Sequence, residues 1–382
     1  MKKSILFLML VSMVFVLSCN NRKKSSPQSA SGYSGSFDSA YSVTGREILK
    51  EEYNALMLNA VDTFLLASHR NTDKYFFTLY GSKSQQKIMQ LMPYGKGPGE
   101  FSSGYAYQYA QNEDGIWYVW ILDYRRSLLY KVNISKSVEE GKTVVEKIIK
   151  TGSRDSFFAD IDFNMVFFVD SNKLVGTTSN LSKKMKRFVV YNPIEDTVVK
   201  AVDPFPKVNY DFTKKDEGYG RLMYIYNPLF LADFDMKPDK SLFASAMDKF
   251  NRLDIFDING NVVNSYVDDD NITENLINEY LASNLDNFRN VPIKYYYANM
   301  DVTDRFIFAL YQNRLDSAYK TSIPVKVRVF NWKAEPVCTI DIPDYLQYIS
   351  IDEDNGILYG TSYYDEKFLK YDIKNIMDKI GE

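Results

Sequence analysis

Residues Asp114–Tyr130 read DGIWYVWILDYRRSLLY. An Asp-Gly pair, which favours a turn, is followed by an apolar run from Ile116 to Leu122 of strand length. A polar turn follows at Asp123–Ser127, and a second strand ends on Tyr130. Aromatic and branched side chains on both sides of a short polar turn mark an antiparallel hairpin. The pattern recurs five more times. Asp62 precedes TFLLAS, Asn172 KLVGTTS, Asp239 KSLFASAM, Asp304 RFIFALY and Asn355 GILYGTS. The closing aromatics of those units are Tyr80, Tyr191, Phe256, Phe330 and Tyr371, and in all six units the aromatic falls 16 to 26 residues after its Asp or Asn. Five of the six aromatics have a basic residue four positions earlier, at Arg126, Arg187, Arg252, Lys326 and Lys367. A third strand follows in most units, as KIMQLM, VVEKIIK, TVVKAV, VVNSYV and VCTIDI.

One such sheet cannot bury both of its faces. Radial stacking of several sheets buries them and leaves only short, protected edges. Six units between Thr44 and Glu382 average about 56 residues, room for four strands and their loops. The sequence therefore predicts an all-β fold, a six-bladed β-propeller over residues 44–382 with one short inserted helix. A chain of 382 residues would otherwise be expected to form two or three domains. Thirty Tyr and 25 Phe suit strands better than helices. The inserted helix is read at about 271–288, NITENLINEYLASNLDNF. Thr273 can cap it, and Ile272, Leu276, Ile277, Tyr280, Leu281, Leu285 and Phe288 form one apolar stripe, expected to pack on the propeller. A second long connection, Asp203–Tyr226, carries Pro204, Pro206, Gly218 and Gly220.

The N-terminus reads as an address. Lys2 and Lys3 precede Ile5–Leu17, in which only Ser12 is polar. That is a charged n-region and an apolar h-region, too short to span ~30 Å of hydrocarbon comfortably. Val16-Leu17-Ser18-Cys19 resembles a bacterial lipobox. The resemblance implies a signal peptide over 1–18, lipidation of Cys19, and a membrane partner through that lipid. Residues 19–43, rich in Ser, Gly, Lys and Asn, are expected to be a flexible tether. The flank Asn20-Asn21-Arg22-Lys23-Lys24 is basic. In Bacteroidetes lipoproteins an acidic flank marks surface export, so the resemblance implies an outer-membrane anchor facing the periplasm. With Cys19 lipidated, Cys338 has no intrachain partner and is expected to be a buried small hydrophobe.

Gly95-Lys96-Gly97-Pro98-Gly99-Glu100-Phe101, ahead of the second unit, resembles the opening of the NHL repeat, and RLDIFDINGN at 252–261 resembles its closing half. The GKGPGEF form is also similar to TolB-like six-bladed propeller lipoproteins of the Bacteroidetes. The resemblance covers roughly Tyr53–Tyr371, with the full pattern only in the second unit. It implies architecture more than activity.

Composition narrows the function. Forty-six basic and 49 acidic residues give a net charge of −3, so no positive field exists to hold nucleic acid. One histidine, His69, and two cysteines exclude His-rich metal sites and zinc clusters. GKGPGEF lacks the order of a phosphate loop and reads as an inter-blade turn. The acidic turns 112–115 and 352–356 depart from calcium-loop spacing and read as hairpin turns. Tyr295-Tyr296-Tyr297 point to alternate faces of a strand, so one ring can meet solvent. Propellers bring inter-blade loops and second-to-third-strand hairpins to one end. That end would gather Arg70, Lys96, Glu100, Asp123, Arg125 and Tyr363, together with His69 and Lys249, as a shallow polar funnel. The reading is of an envelope-anchored binding or scaffold module for a polar ligand, glycan or peptide, or for a partner protein, with no cofactor. The alternative is a calcium-dependent propeller hydrolase or lactonase.

Overall fold

The structure, a computed structural model, describes residues 32–33, 35–52, 55–69, 74–102, 106–152, 163–178, 185–208, 219–315 and 323–381. The signal peptide, Cys19 and Arg70 lie outside the described residues. Six small sheets form six blades, each an antiparallel meander that starts at the axis and works outward. Blade 1 is built from Ala55–Val61, Phe64–His69, Tyr75–Gly81 and Lys87–Pro93. Blade 2 uses Ala106–Glu113, Ile116–Asp123, Leu128–Asn133 and Val145–Lys150; blade 3 uses Phe163–Asp170, Lys173–Thr178, Phe188–Asn192 and Thr197–Val202. Blade 4 uses Ala232–Met236, Leu242–Met247, Arg252–Asp257 and Val262–Val267; blade 5 uses Lys294–Val302, Phe306–Leu315, Val325–Asn331 and Pro336–Ile342. Blade 6 contributes Tyr348–Asp352, Ile357–Ser362 and Lys367–Asp372, and takes its fourth strand, Arg46–Ile48, from the other end of the chain. That strand closes the ring: Ile48 pairs with Phe368 and is buried.

Each hairpin read from the sequence is the second and third strand of a blade. Those strands are apolar on both sides because each blade lies between two others. The buried clusters accordingly run between blades, as where Tyr109 and Trp120 of blade 2 stack on Phe167 and Phe168 of blade 3, and Phe167 in turn packs on Phe234 and Phe243 of blade 4. Cys338 is fully buried in the core of blades 5 and 6. The Asp and Asn residues that open the units sit in the first hairpin of each blade. Asp62 and Asp114 adopt positive φ there, and Gly115 at φ +83° donates to Asn112 Oδ1 at 2.9 Å.

Two expectations need correction. The segment expected to be a tether through Val43 is built into the ring at its later part. Gly32–Tyr33 adds a parallel strand to the outer edge of blade 4, and Ala40–Ser42 does the same for blade 5. Phe37 between them packs edge-on against Tyr266 and Phe330. Polar composition hid this, because an edge strand needs backbone groups rather than apolar side chains. The helix count is also larger than one. α1 spans Ile134–Glu140, between Asn133, whose side chain accepts from Lys136 N, and Gly141 at φ +66°. α2, Glu274–Ala282, is the expected insertion, shorter than 271–288 because the chain turns extended at Ser283. Thr273 caps it as expected, and Ile277, Tyr280 and Leu281 are buried against Ile225, Leu229 and Phe230 of the preceding inter-blade connection. Leu285 of the same stripe remains exposed. α3, Lys374–Gly381, packs Ile376 and Met377 on blades 5 and 6.

Candidate functional site

The inner strand of every blade is a sheet edge, with backbone N–H groups turned toward the next blade. A buried N–H needs an acceptor. Here polar side chains on one inner strand supply it to the next strand around the ring. Gln108 of blade 2 accepts from Val166 N of blade 3 at 2.6 Å. Asp233 of blade 4 accepts from Met300 N of blade 5 at 2.6 Å. Asn299 and Asp301 of blade 5 accept from Ile349 N and Ile351 N of blade 6 at 2.7 and 2.6 Å. Ser350 of blade 6 accepts from Ala60 N of blade 1 at 3.0 Å. The ring is thus latched along its axis by side chains of one blade on the backbone of the next.

Inside that latch lies an axial cavity of about 570 Å³. Its walls are the inner strands and its mouth is made by the first hairpins of the blades. Asp233, Asp235 and Asp301 stand on its wall and are half-buried; set on the inner strands, they meet solvent only in the cavity. Burial pushes the Asp233 carboxyl up to about 7, against the hydrogen bonds from Met300 N, Phe234 N and Asn299 that favour its ionised form. Burial likewise raises Asp301 to about 6, opposed by the N–H groups of Ile351 and Val302. Asp235 is held well above the ordinary carboxylate range, first by burial and then by the charge of Asp301. The Tyr107 hydroxyl is raised well above 10 by burial and by the charges of Asp301 and Asp235. These four groups therefore share one space. Among the described residues, none of the three carboxylates has a Lys or Arg within ion-pair distance.

The mouth is acidic too, with Asp62, Asp304, Asp352 and Asp354 among its residues. Among the described residues Lys240 is the one basic residue of the lining, and its neighbouring charges are Glu113, Lys131, Lys147 and Asp170 rather than the three deep carboxylates. The walls also carry the half-buried apolar side chains Met57, Met165 and Ile351. Asn59 holds in blade 1 the position, two residues before the strand end, that Ser350 holds in blade 6. Its side chain is buried and its Nδ2 has no hydrogen-bond partner. No set of three His, Cys, Asp or Glu side chains among the described residues is placed to hold a metal ion.

Of the residues expected at the polar funnel, Lys96, Glu100, Asp123, Arg125, Tyr363, His69 and Lys249 lie at the opposite end of the ring and do not line this cavity, whereas the two acidic turns stand at its mouth through Asn112 and Asp352–Asn355. Glu100 accepts from Gly97 N at 2.6 Å, inside the inter-blade turn. A Cβ on Gly95 would meet Glu100 Oε2 at 1.9 Å, so a larger residue here displaces the Glu100 carboxylate. Asp123 is fully buried and accepts from Ser102 Oγ and from Arg126 N, both at 3.0 Å to Oδ1. Arg126 Nη1 in turn donates to Glu100 O at 2.9 Å. The turn, the hairpin and Phe101 beneath them form one fastened unit. Lys96 and Arg125 are exposed, and Tyr363 is half-buried beside Tyr364. His69 is buried, with Nε2 at 2.7 Å from Thr78 Oγ1. Lys249 Nζ lies 3.1 Å above the Tyr295 ring, while Tyr296 and Tyr297 are buried. Both acidic turns, 112–115 and 352–356, are equivalent first hairpins; Asp352 Oδ1 accepts from Asn355 N at 3.1 Å.

The deep carboxylates had a signal in the sequence. LADFDM, ANMDV and YISID place polar residues on alternate positions just before a first-hairpin turn. That alternation marks a strand with one face to a polar space.

No protein-family model matches the chain. No curated protein matches it either. Solved structures do. A member of the DUF4221 family from Bacteroides vulgatus superposes with a TM-score of 0.54 at 14% identity, over 86% of this chain and 95% of that one. A candidate exported protein of Bacteroides fragilis gives 0.51 at 9% identity, over 87% of this chain and 98% of that one. At these identities the likeness shows the fold alone. No helix among the described residues is long and apolar enough to cross a membrane.

Proposed function

We propose that this chain is a lipid-anchored protein of the cell envelope whose propeller binds a polar ligand, in the axial cavity, without transforming it. The carrying observation is the cavity itself. It falls within the ~300–1,000 Å³ of small-ligand pockets and gathers polar side chains from several inner strands. Its carboxylates are tied to backbone N–H groups rather than poised beside a nucleophile, which favours binding over catalysis. The lipobox-like Val16–Cys19 and the basic residues after it support an anchor in the outer membrane facing the periplasm. The likeness to a candidate exported protein of Bacteroides fragilis and the GKGPGEF resemblance to TolB-like and NHL-like propellers support the same address. The ligand is read as a glycan or peptide, free or displayed by a partner protein.

Detergent partitioning tests the anchor. Wild type is expected in the detergent phase and Cys19→Ala in the aqueous phase or uncleaved; wild type in the aqueous phase with a free Cys19 thiol refutes lipidation. A glycan and peptide array run with wild type, Asp301→Asn and Arg125→Ala tests the site. Loss of binding in Asp301→Asn alone is expected. Loss in Arg125→Ala alone moves the site to the opposite end, where Lys96, Arg125 and Tyr363 lie. Calcium-dependent turnover of a hit overturns the non-enzymatic reading.

A further inference from the structure

We infer that the ligand of the axial cavity carries a primary ammonium group on an aliphatic body, with the ammonium seated among Asp233, Asp235 and Asp301. The inference rests on the cavity being the binding site and names the chemistry that site selects.

Charge comes first. Three carboxylates line the deep space, where the charge of Asp301 raises the cost of ionising Asp233 and Asp235, and that of Asp233 adds to the cost at Asp235. Among the described residues no cation pairs with them. A buried charge is stable only when paired or generously hydrogen-bonded. An ammonium brings three donors and the missing positive charge together.

Carboxylate geometry argues for an organic cation over a metal. Asp233 Oδ2 takes two donors, Asn299 Nδ2 and Met300 N. Both oxygens of Asp301 take backbone N–H groups, as does one oxygen of Asp235. Calcium needs six to eight oxygen ligands, and no three acidic side chains among the described residues are placed around one metal ion. Hydrogen bonds to an ammonium can share those oxygens. The space also far exceeds that of an ion. Met57, Met165 and Ile351 give its wall apolar patches on which an aliphatic chain can lie. Asn59 Nδ2 supplies an independent observation. It is a donor without a partner among the described residues, on a side chain that lines the same wall; shielded from the cavity as it stands, it meets a ligand oxygen beyond the ammonium once the amide exchanges its oxygen and nitrogen by a half-turn.

Calorimetric titration with hexylammonium, 1-hexanol and glucosamine tests this at pH 8 and pH 5. Hexylammonium is expected to bind at pH 8 and to weaken at least about tenfold at pH 5, where protons hold the carboxylates. Its heat is expected to vary with the ionisation heat of the buffer at pH 7, because binding expels protons. Asp235→Asn is expected to weaken it about tenfold or more, the worth of a charge-assisted hydrogen bond. Asp301→Asn serves as the second variant should Asp235→Asn misfold. Equal binding of hexanol and hexylammonium overturns the cation while leaving the cavity as the site. Glucosamine binding tighter than hexylammonium overturns the aliphatic body. Array hits that map to Arg125, with no binding of any of the three probes, overturn the cavity reading itself.

Discussion

Asp233→Asn makes the axial electrostatics measurable without a ligand. In the folded chain the Asp233 carboxyl titrates near 7, against about 3.9 in an unfolded chain. A raised folded pKa means the folded state holds the proton more tightly. That stability is fully present below about pH 4 and is lost as pH rises toward 7, after which the deficit stays constant. At about 1.4 kcal/mol per pH unit the deficit reaches an upper bound of about 4 kcal/mol. Asparagine has nothing to ionise, so it escapes that deficit. Its Oδ1 can keep the donors Met300 N and Asn299 Nδ2, but its Nδ2 then faces Phe234 N, a donor against a donor. The lost hydrogen bond costs about 1–2 kcal/mol at every pH. The larger effect wins only where it is switched on. The variant is therefore expected to be less stable than wild type at pH 4 and more stable at pH 8, with curves that cross in between. Urea denaturation midpoints at half-unit steps from pH 4 to pH 8 give both curves. Parallel curves, or a variant weaker at pH 8, refute the claim that Asp233 is ionised at a cost inside the ring.

Three further perturbations probe the frame around the cavity. Asp254 is fully buried and holds Arg187 Nη2 at 3.2 Å and Arg252 Nε at 2.8 Å; Asp254→Ala is expected to cost about 3–5 kcal/mol by leaving Arg187 buried and unpaired. Arg187→Met combined with Asp254→Ala is expected to cost less than Asp254→Ala alone in the same urea titration, and additive losses refute the pairing. Ile48→Ala strips a buried side chain from the closing strand and is expected to cost about 2–4 kcal/mol; a loss below about 1 kcal/mol means the ring does not depend on that strand. Burial pushes the Cys338 thiol up to about 12, so an aromatic disulfide reagent at pH 8 is expected to react only in denaturant, and prompt reaction with the native protein refutes the burial.

The second and third strands of each blade were legible because both of their faces meet other blades, which leaves near-continuous apolar runs such as IWYVWIL between turn residues. The inner strands were not. Their channel-facing positions are polar, so ADFDM and YISID fail as apolar runs, and the pattern of each unit begins at the turn after its true first strand. Ring closure was hidden for a different reason. Arg46-Glu47-Ile48 has one apolar residue, and its partners Phe368–Lys370 lie at the far end of the chain, a pairing that no local pattern encodes. The sequence therefore directed attention to the hairpin-rich end, where residue types are conspicuous but, as with Glu100 and Asp123, already committed to fastening a turn.

What separates the axial carboxylates from those is that the fold does not require their charge. Latching an inner strand needs one acceptor, and Gln108, Asn299 and Ser350 supply it as neutral groups. Asp233 and Asp301 do the same task with an ionisable group, raised in pKa by the surroundings it must tolerate. Asp235 takes a hydrogen bond from Met236 N on its own strand, and among the described residues no hydrogen bond joins it to a neighbouring blade. A carboxylate at a latch that other inner strands make with an amide or a hydroxyl, held at a stability cost inside a concave space, is the pattern of a site shaped for something other than folding. Folding alone would predict that replacing all three by asparagine costs only the hydrogen bonds that an amide nitrogen cannot accept. The cation reading predicts a stable propeller that has lost its ligand, and the two are separated by the same titration with hexylammonium.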